Sequence, residues 1–132
     1  MSIKEMIAEH PHVKGNDNEA LTEAVKHAMY CAAICNSCAD ACAGEEDSGS
    51  RGDCIRLCLD CSDICTALYR AGSRRTGDNE GILKQLLLLC ADMCERCAAM
   101  CETHADAHCQ RCAKMCRECA DDCRKAAGTI TP

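Results

Sequence analysis

The sequence has no Trp, no Phe and only two Tyr, Tyr30 and Tyr69. A domain of 132 residues ordinarily fills its interior with aromatic and branched aliphatic side chains. This chain has too few of them, so something else must occupy its centre. Two Pro and eight Gly are too few for a low-complexity or collagen-like chain. There is no excess of basic charge: 15 Lys and Arg stand against 21 Asp and Glu, a net charge of −6. That balance, with no basic stripe, argues against nucleic acid as a partner. Long apolar runs are missing too. The longest, Ile82 to Ala91, is interrupted by Lys84 and Gln85 and is too short to span a bilayer. The first ten residues carry charges where a secretory leader needs an apolar segment, which leads us to expect a cytosolic protein.

What the sequence does have is cysteine, at 17 positions. Cys and Ala together make up more than half of its apolar residues. The cysteines repeat. Cys31, Cys35, Cys38 and Cys42 are spaced +4, +3, +4, and so are Cys54, Cys58, Cys61 and Cys65, and Cys90, Cys94, Cys97 and Cys101. Cys109, Cys112, Cys116, Cys119 and Cys123 run +3, +4, +3, +4. Alternation of three and four is the inward seam of a bundled helix. A strand would need spacings of two, and a zinc ribbon would need turns. Small and aliphatic residues flank each seam, while Asp40, Arg56, Asp60, Glu95, Lys114, Arg117 and Asp121 fall on the opposite faces.

Polar, glycine-containing runs at 44–53 and 72–81 separate these segments. The pattern predicts helices near 18–43, 53–71, 79–104 and 106–127, with Asn16, Asp17 or Asn18 starting the first, Asp78 or Asn79 capping the third and Gly128 ending the last. The fold expected is all-α: an antiparallel up-down-up-down four-helix bundle over residues 16–132 with a Cys-lined core. A short amphipathic helical segment at 1–15, carrying Ile3, Met6 and Ile7, precedes it. Aligning the ladders gives four levels: Cys42, Cys54, Cys101, Cys109; Cys38, Cys58, Cys97, Cys112; Cys35, Cys61, Cys94, Cys116; and Cys31, Cys65, Cys90, Cys119, with Cys123 left over. Each ladder rises about 16 Å.

One buried Cys is a small hydrophobe, but chance filling would scatter Leu among the seams. Neighbours at i and i+4 of one intact helix do not meet in disulfide geometry, and the cytosol keeps thiols reduced. Metal is the stronger reading. Thiolate-only sites suit Cu(I), Zn(II) or iron–sulfur clusters. Four zinc–tetrathiolate sites would stack uncompensated negative charge in a dry core. One Cu(I) per thiolate neutralises it, which sets a capacity on the order of one ion per Cys. The usual ferredoxin spacing is absent. A zinc reservoir and a thiol–disulfide redox buffer or sensor remain the alternatives. No catalytic constellation or phosphate loop is present, so an enzyme is not expected.

The four Cys-lined segments, with Cys54-Ile-Arg-Leu-Cys-Leu-Asp-Cys-Ser-Asp-Ile-Cys65, Ile7-Ala-Glu-His-Pro11 and the corner Cys101-Glu-Thr-His-Ala-Asp-Ala-His-Cys109, resemble the cytosolic copper storage proteins. The resemblance covers nearly the whole chain. It implies a homotetramer of four-helix bundles, each holding many Cu(I) ions, and it carries the ligand role onto all seventeen Cys. A copper chaperone or small thiols are the candidate exchange partners. Ala24 and Ala28 continue the first seam, where relatives can carry further Cys.

The two ends of the bundle are expected to differ. Leu21, Ala24, Val25, Leu68, Leu83, Leu86 and Leu87 plug one. The other has the 44–53 loop with His104 and His108, which continue the third seam in phase after Cys97 and Cys101 and are assigned as ligands at the copper mouth. His10, His12 and His27 lack this phase and are read as surface residues. Met93, Met100 and Met115 are read as packing residues.

Overall fold

The computed structural model describes residues 2–130. Five helices follow one another: α1 (Ile3–Ala8), α2 (Glu19–Ala43), α3 (Gly52–Gly72), α4 (Glu80–Cys101) and α5 (Ala107–Gly128), with a 3-10 turn at Ser48–Ser50. The four long helices form an antiparallel bundle in which α2 packs on α3 and α5, and α4 on the same two. The short α1 packs on α2 and buries Ile7.

Local chemistry explains where the helices start. Ser2 caps α1 by accepting from the Glu5 amide, and Asn18 caps α2 by accepting from the Leu21 amide. Asn18 sits at φ +50 after Lys14 (φ +52) and Gly15 (φ +83), so the chain turns sharply into α2. Asn79 precedes α4 as expected, but its side-chain amide donates to the Arg74 carbonyl and caps nothing. Asp106 precedes α5 and is likewise diverted, to an arginine described below.

Every Cys side of a helix faces inward, and all seventeen are buried. Leu21, Val25, Leu68, Leu83 and Leu87 close the far end as expected, with Leu86 half-buried beside them. Arg75 ties that end together: Nε donates to the Gly72 carbonyl at 2.7 Å, Nη1 to the Asp17 carbonyl at 2.6 Å and Nη2 to Thr22 Oγ1 at 3.2 Å. No helix among the described residues is long and apolar enough to cross a membrane.

Candidate metal centre

The four seams converge on one column of sulfur. All seventeen cysteines are free thiols. Cross-helix Sγ···Sγ separations are 3.5 Å for Cys35–Cys116, 3.6 Å for Cys65–Cys90 and for Cys58–Cys101, and 3.7 Å for Cys61–Cys94, Cys42–Cys109 and Cys31–Cys116. Groups of four donor atoms lie within 4.8 Å of one another: Cys38, Cys42, His108 and Cys109; Cys38, Cys58, Cys101 and Cys112; Cys35, Cys97, Cys112 and Cys116; Cys31, Cys35, Cys61 and Cys116; Cys31, Cys61, Cys65 and Cys94. Each group shares one or two members with the next. At the far end, Cys123 lies beyond the four levels but is fully buried near Cys119 and Cys90.

The flat levels drawn from the sequence are partly corrected. Cys42–Cys109 and Cys54–Cys101 do pair at the outer end. But Cys101 also reaches Cys58, and Cys97, 3.7 Å from Cys58 of its expected level, also groups with Cys35 and Cys116. Side chains three and four apart on adjacent helices interdigitate rather than stack in register.

Sharing separates the metals. A single group would fit a tetrahedral ion with metal–sulfur bonds of about 2.3 Å. Isolated tetrahedral sites, however, need four private ligands each, and these thiols are held in common. A run of shared thiolates suits a monovalent ion that takes few ligands and tolerates bridging sulfur. Mutual hydrogen bonding and burial spread the acidities of the thiols along the column. Hydrogen bonding with neighbouring thiols holds Cys61, Cys112 and Cys119 below the ordinary thiol range. Cys35, Cys58, Cys65 and Cys94 hydrogen-bond to the same partners and are pushed above it.

The two histidines of the corner part company. Helix α4 ends at Cys101, so neither extends its seam, contrary to the phase that singled them out. Glu102–Asp106 form the turn between helices, and two hydrogen bonds close it early, from the Glu102 amide to Ala98 and from the His104 amide to Cys101. His104 lies in this turn, half-buried, and its carbonyl accepts from Gln110 Nε2. Among the described residues, no hydrogen bond joins its ring to a thiol. His108 belongs to the first turn of α5. Its Nδ1 stands 3.3 Å from Cys38 Sγ and 3.6 Å from Cys109 Sγ, and its Nε2 is 3.0 Å from Glu45 Oε1. The Cys38 thiol, and after it Glu45, raise the His108 pKa above its ordinary value. Cys38 itself is lowered to about 6, by Cys101 first, with Cys58 and His108 adding.

Two residues at this end were not foreseen. Glu45 orients His108. Arg51 is 5% exposed and reaches across the end of the column: Nε donates to Asp47 Oδ1 and Nη2 to Asp106 Oδ1, both at 2.7 Å, while Nη1 lies 3.7 Å from both Cys42 Sγ and Cys109 Sγ. The sequence held one signal for it. A cation immediately before a helix start opposes the helix dipole and calls for a local partner.

The remaining assignments follow the expected pattern except at His27, which is half-buried. His10 and His12 sit together at the surface, with the His12 ring 3.1 Å from the Thr76 carbonyl, and His27 pairs with Asp122. Met93, Met100 and Met115 pack partly buried against the core.

Known proteins share this arrangement. A cytosolic copper storage protein of Streptomyces lividans, solved with ten copper equivalents, is 31% identical and superimposes with a TM-score of 0.92 over 98% of this chain and all of that one. It has also been solved with two histidines, four residues apart, replaced by alanine. The Cu(I)-bound copper storage protein BsCsp3 is 34% identical, with a TM-score of 0.74 over 82% of this chain and 98% of its own. An uncharacterised cysteine-rich protein of Bacillus subtilis, YhjQ, is 37% identical over 83% of this chain and 95% of its own length. The copper storage protein family matches residues 17–128, which hold every thiol of the column, and the chain therefore belongs to that family.

Proposed function

We propose that this chain, a non-enzymatic copper store by family, holds Cu(I) on all seventeen of its thiolates, with a capacity on the order of one ion per Cys, and receives it at a mouth formed by His104 and His108. The observation that carries this reading is the sharing of thiols between successive four-donor groups from Cys109 to Cys94. Bridging sulfur lets neighbouring ions use one thiolate, and a single positive charge per sulfur leaves no net charge buried. The Cu(I)- and copper-loaded relatives support the same ion here. The cytosolic Streptomyces relative supports a cytosolic location, with a copper chaperone or small thiols as exchange partners. The resemblance to the family implies a homotetramer, for which exposed Ile82, Leu88 and Leu89 on α4 offer an apolar face.

Anaerobic titration of reduced protein with Cu(I) against a competing chelator tests the reading. Saturation near 17 ions per chain is expected. Saturation near four Zn(II) with weak Cu(I) retention would instead make the column a zinc reservoir. Ready disulfide formation without metal retention would make it a redox buffer.

A further inference from the structure

We propose that the column is also a binding site for a trivalent metalloid, arsenic(III), at two three-thiol centres: Cys31, Cys35 and Cys116, and Cys61, Cys65 and Cys94. The proposal goes beyond the copper reading and does not depend on it.

Two closed triangles of sulfur stand side by side in the column. In the first, Cys31 lies 3.7 Å from both Cys35 and Cys116, and Cys35 lies 3.5 Å from Cys116. In the second, the Cys61–Cys94, Cys65–Cys94 and Cys61–Cys65 separations are 3.7, 3.8 and 4.0 Å. Each takes two thiols one turn apart on one helix and a third from its neighbour, α2 with α5 and α3 with α4. All six side chains are 0% exposed.

Ligand number favours three-coordinate centres here. Two four-donor groups cover these residues: Cys31, Cys35, Cys61 and Cys116, and Cys31, Cys61, Cys65 and Cys94. They share Cys31 and Cys61, so six sulfurs cannot complete two tetrahedral ions without bridging. They do complete two three-coordinate centres, with each sulfur used once. The middle of the first triangle is about 2.1 Å from each sulfur, closer than the roughly 2.3 Å of a metal–thiolate bond. An atom bonded to all three therefore stands above their plane. Arsenic(III) has that shape, with three bonds and a lone pair at the apex of a pyramid.

Charge favours the same centre. Three thiolates cancel the charge of a trivalent ion, so each centre buries no net charge on its own. The exchange balances without oxidation or reduction. Arsenous acid, As(OH)3, loses three As–O bonds and gains three As–S bonds, and each thiol proton leaves with a hydroxide as water.

The test is anaerobic titration of the reduced apo protein with sodium arsenite. Bound arsenic is counted by native mass spectrometry against the loss of free thiols. Two arsenic atoms per chain are expected, with six thiols lost, and X-ray absorption is expected to show three sulfurs and no oxygen around each. Cys116→Ser and Cys94→Ser should each retain one arsenic and the double variant none, while Cys123→Ser, outside both triangles, keeps two. The double variant should stay helical and load Cu(I) on its remaining thiols; if it fails to fold, the parent's thiol count and sulfur shell decide alone. No arsenic on a parent protein that loads Cu(I) would overturn the site. Two thiols lost per arsenic, or oxygen in its shell, would overturn the three-thiol centre. Saturation of the parent at any other number, or two atoms retained by the double variant, would overturn the assignment to these two triangles. Cu(I) titration of the same preparation keeps the readings apart: arsenic held without copper would sink the copper store and leave the triangles standing.

Discussion

Binding of a cuprous ion to a thiol releases a proton, so the residues that set acidity at Cys38 also set how readily the first ion is taken. Cys38 is lowered to about 6, first by its hydrogen bond with Cys101 and then by Cys58 and His108. His108 is raised above 6.5 because its protonated form faces Cys38 and Glu45. An imidazolium has no lone pair for a metal. Loading should therefore accelerate as pH rises through a value above 6.5, and this inflection should vanish in His108→Ala, read by stopped-flow absorbance across pH 5.5–8.5 (about three units around the ordinary His value). The same shift acts on the apo protein with the opposite sign. A histidine whose pKa is raised on folding contributes stability below its unfolded pKa and loses that contribution as pH climbs through the folded one. Arg51 is a second single-residue lever. It ties the 44–51 loop to the start of α5 through Asp47 and Asp106, whose carboxyls it holds below their usual range. Arg51→Met should lower the apo melting temperature and speed amide hydrogen exchange at Ser48, Ser50 and Arg51, while α2 and α4 stay protected.

Helix contacts set how closely the rods approach, and two positions govern the α2–α3 pair. A Cβ on Gly72 would stand 2.6 Å from Val25 Cγ2. The close approach, not a special backbone angle, requires glycine there. Gly72→Ala should cost about 1–3 kcal/mol in chemical denaturation through overpacking. Ser62 Oγ donates to the Ala32 carbonyl at 2.8 Å, and Ser62→Ala should cost about 1 kcal/mol. Neither contact could be read from the chain alone, because each depends on which helix faces which residue at closest approach. The helices themselves could. Four seams of spacing three and four placed α2, α3 and α5 within one residue of their observed ends, since an inward thiol stripe has one helical solution. The end of α4 was placed three residues too late because the in-phase histidines imitated a continuing seam. His108 nevertheless stands beside Cys38 and Cys109 at that end of the column, brought there by α5 instead. The thiol column was legible as a set, but its stagger was not, because relative rotation and rise of packed helices leave no mark in spacing. Arg51 and Glu45 were hidden for a different reason: both sit in a polar loop that looks solvated until its ends are folded together.

At the scale of the whole molecule, the interior is divided between an apolar plug and a column of sulfur. Leu68, Leu83 and Leu87 are 0–1% exposed and, with Leu21 and Val25, are the large apolar side chains buried among the long helices. Over the rest of its length the bundle is held by Ala and Cys contacts, which bury less apolar surface per residue. Leu87→Ala should therefore cost about 2–5 kcal/mol, a large share of the roughly 5–15 kcal/mol typical of a folded domain. Copper acts on the other part of the core. An ion that binds the folded column but not the unfolded chain adds about 2.7 kcal/mol for a site at a free concentration one hundred times its Kd. The Leu plug and the thiol column lie at different places along the axis, so their effects should add within about 0.5 kcal/mol. The apo parent should then be helical but melt well below the loaded form. Apo Leu87→Ala should melt lower still, and each added equivalent of Cu(I) should raise both proteins together. Thermal melts by circular dichroism, followed at increasing Cu(I) and after chelator extraction, measure this directly. If copper failed to raise the melting of Leu87→Ala while still saturating its thiols, the column would not be the part of the core that the metal completes.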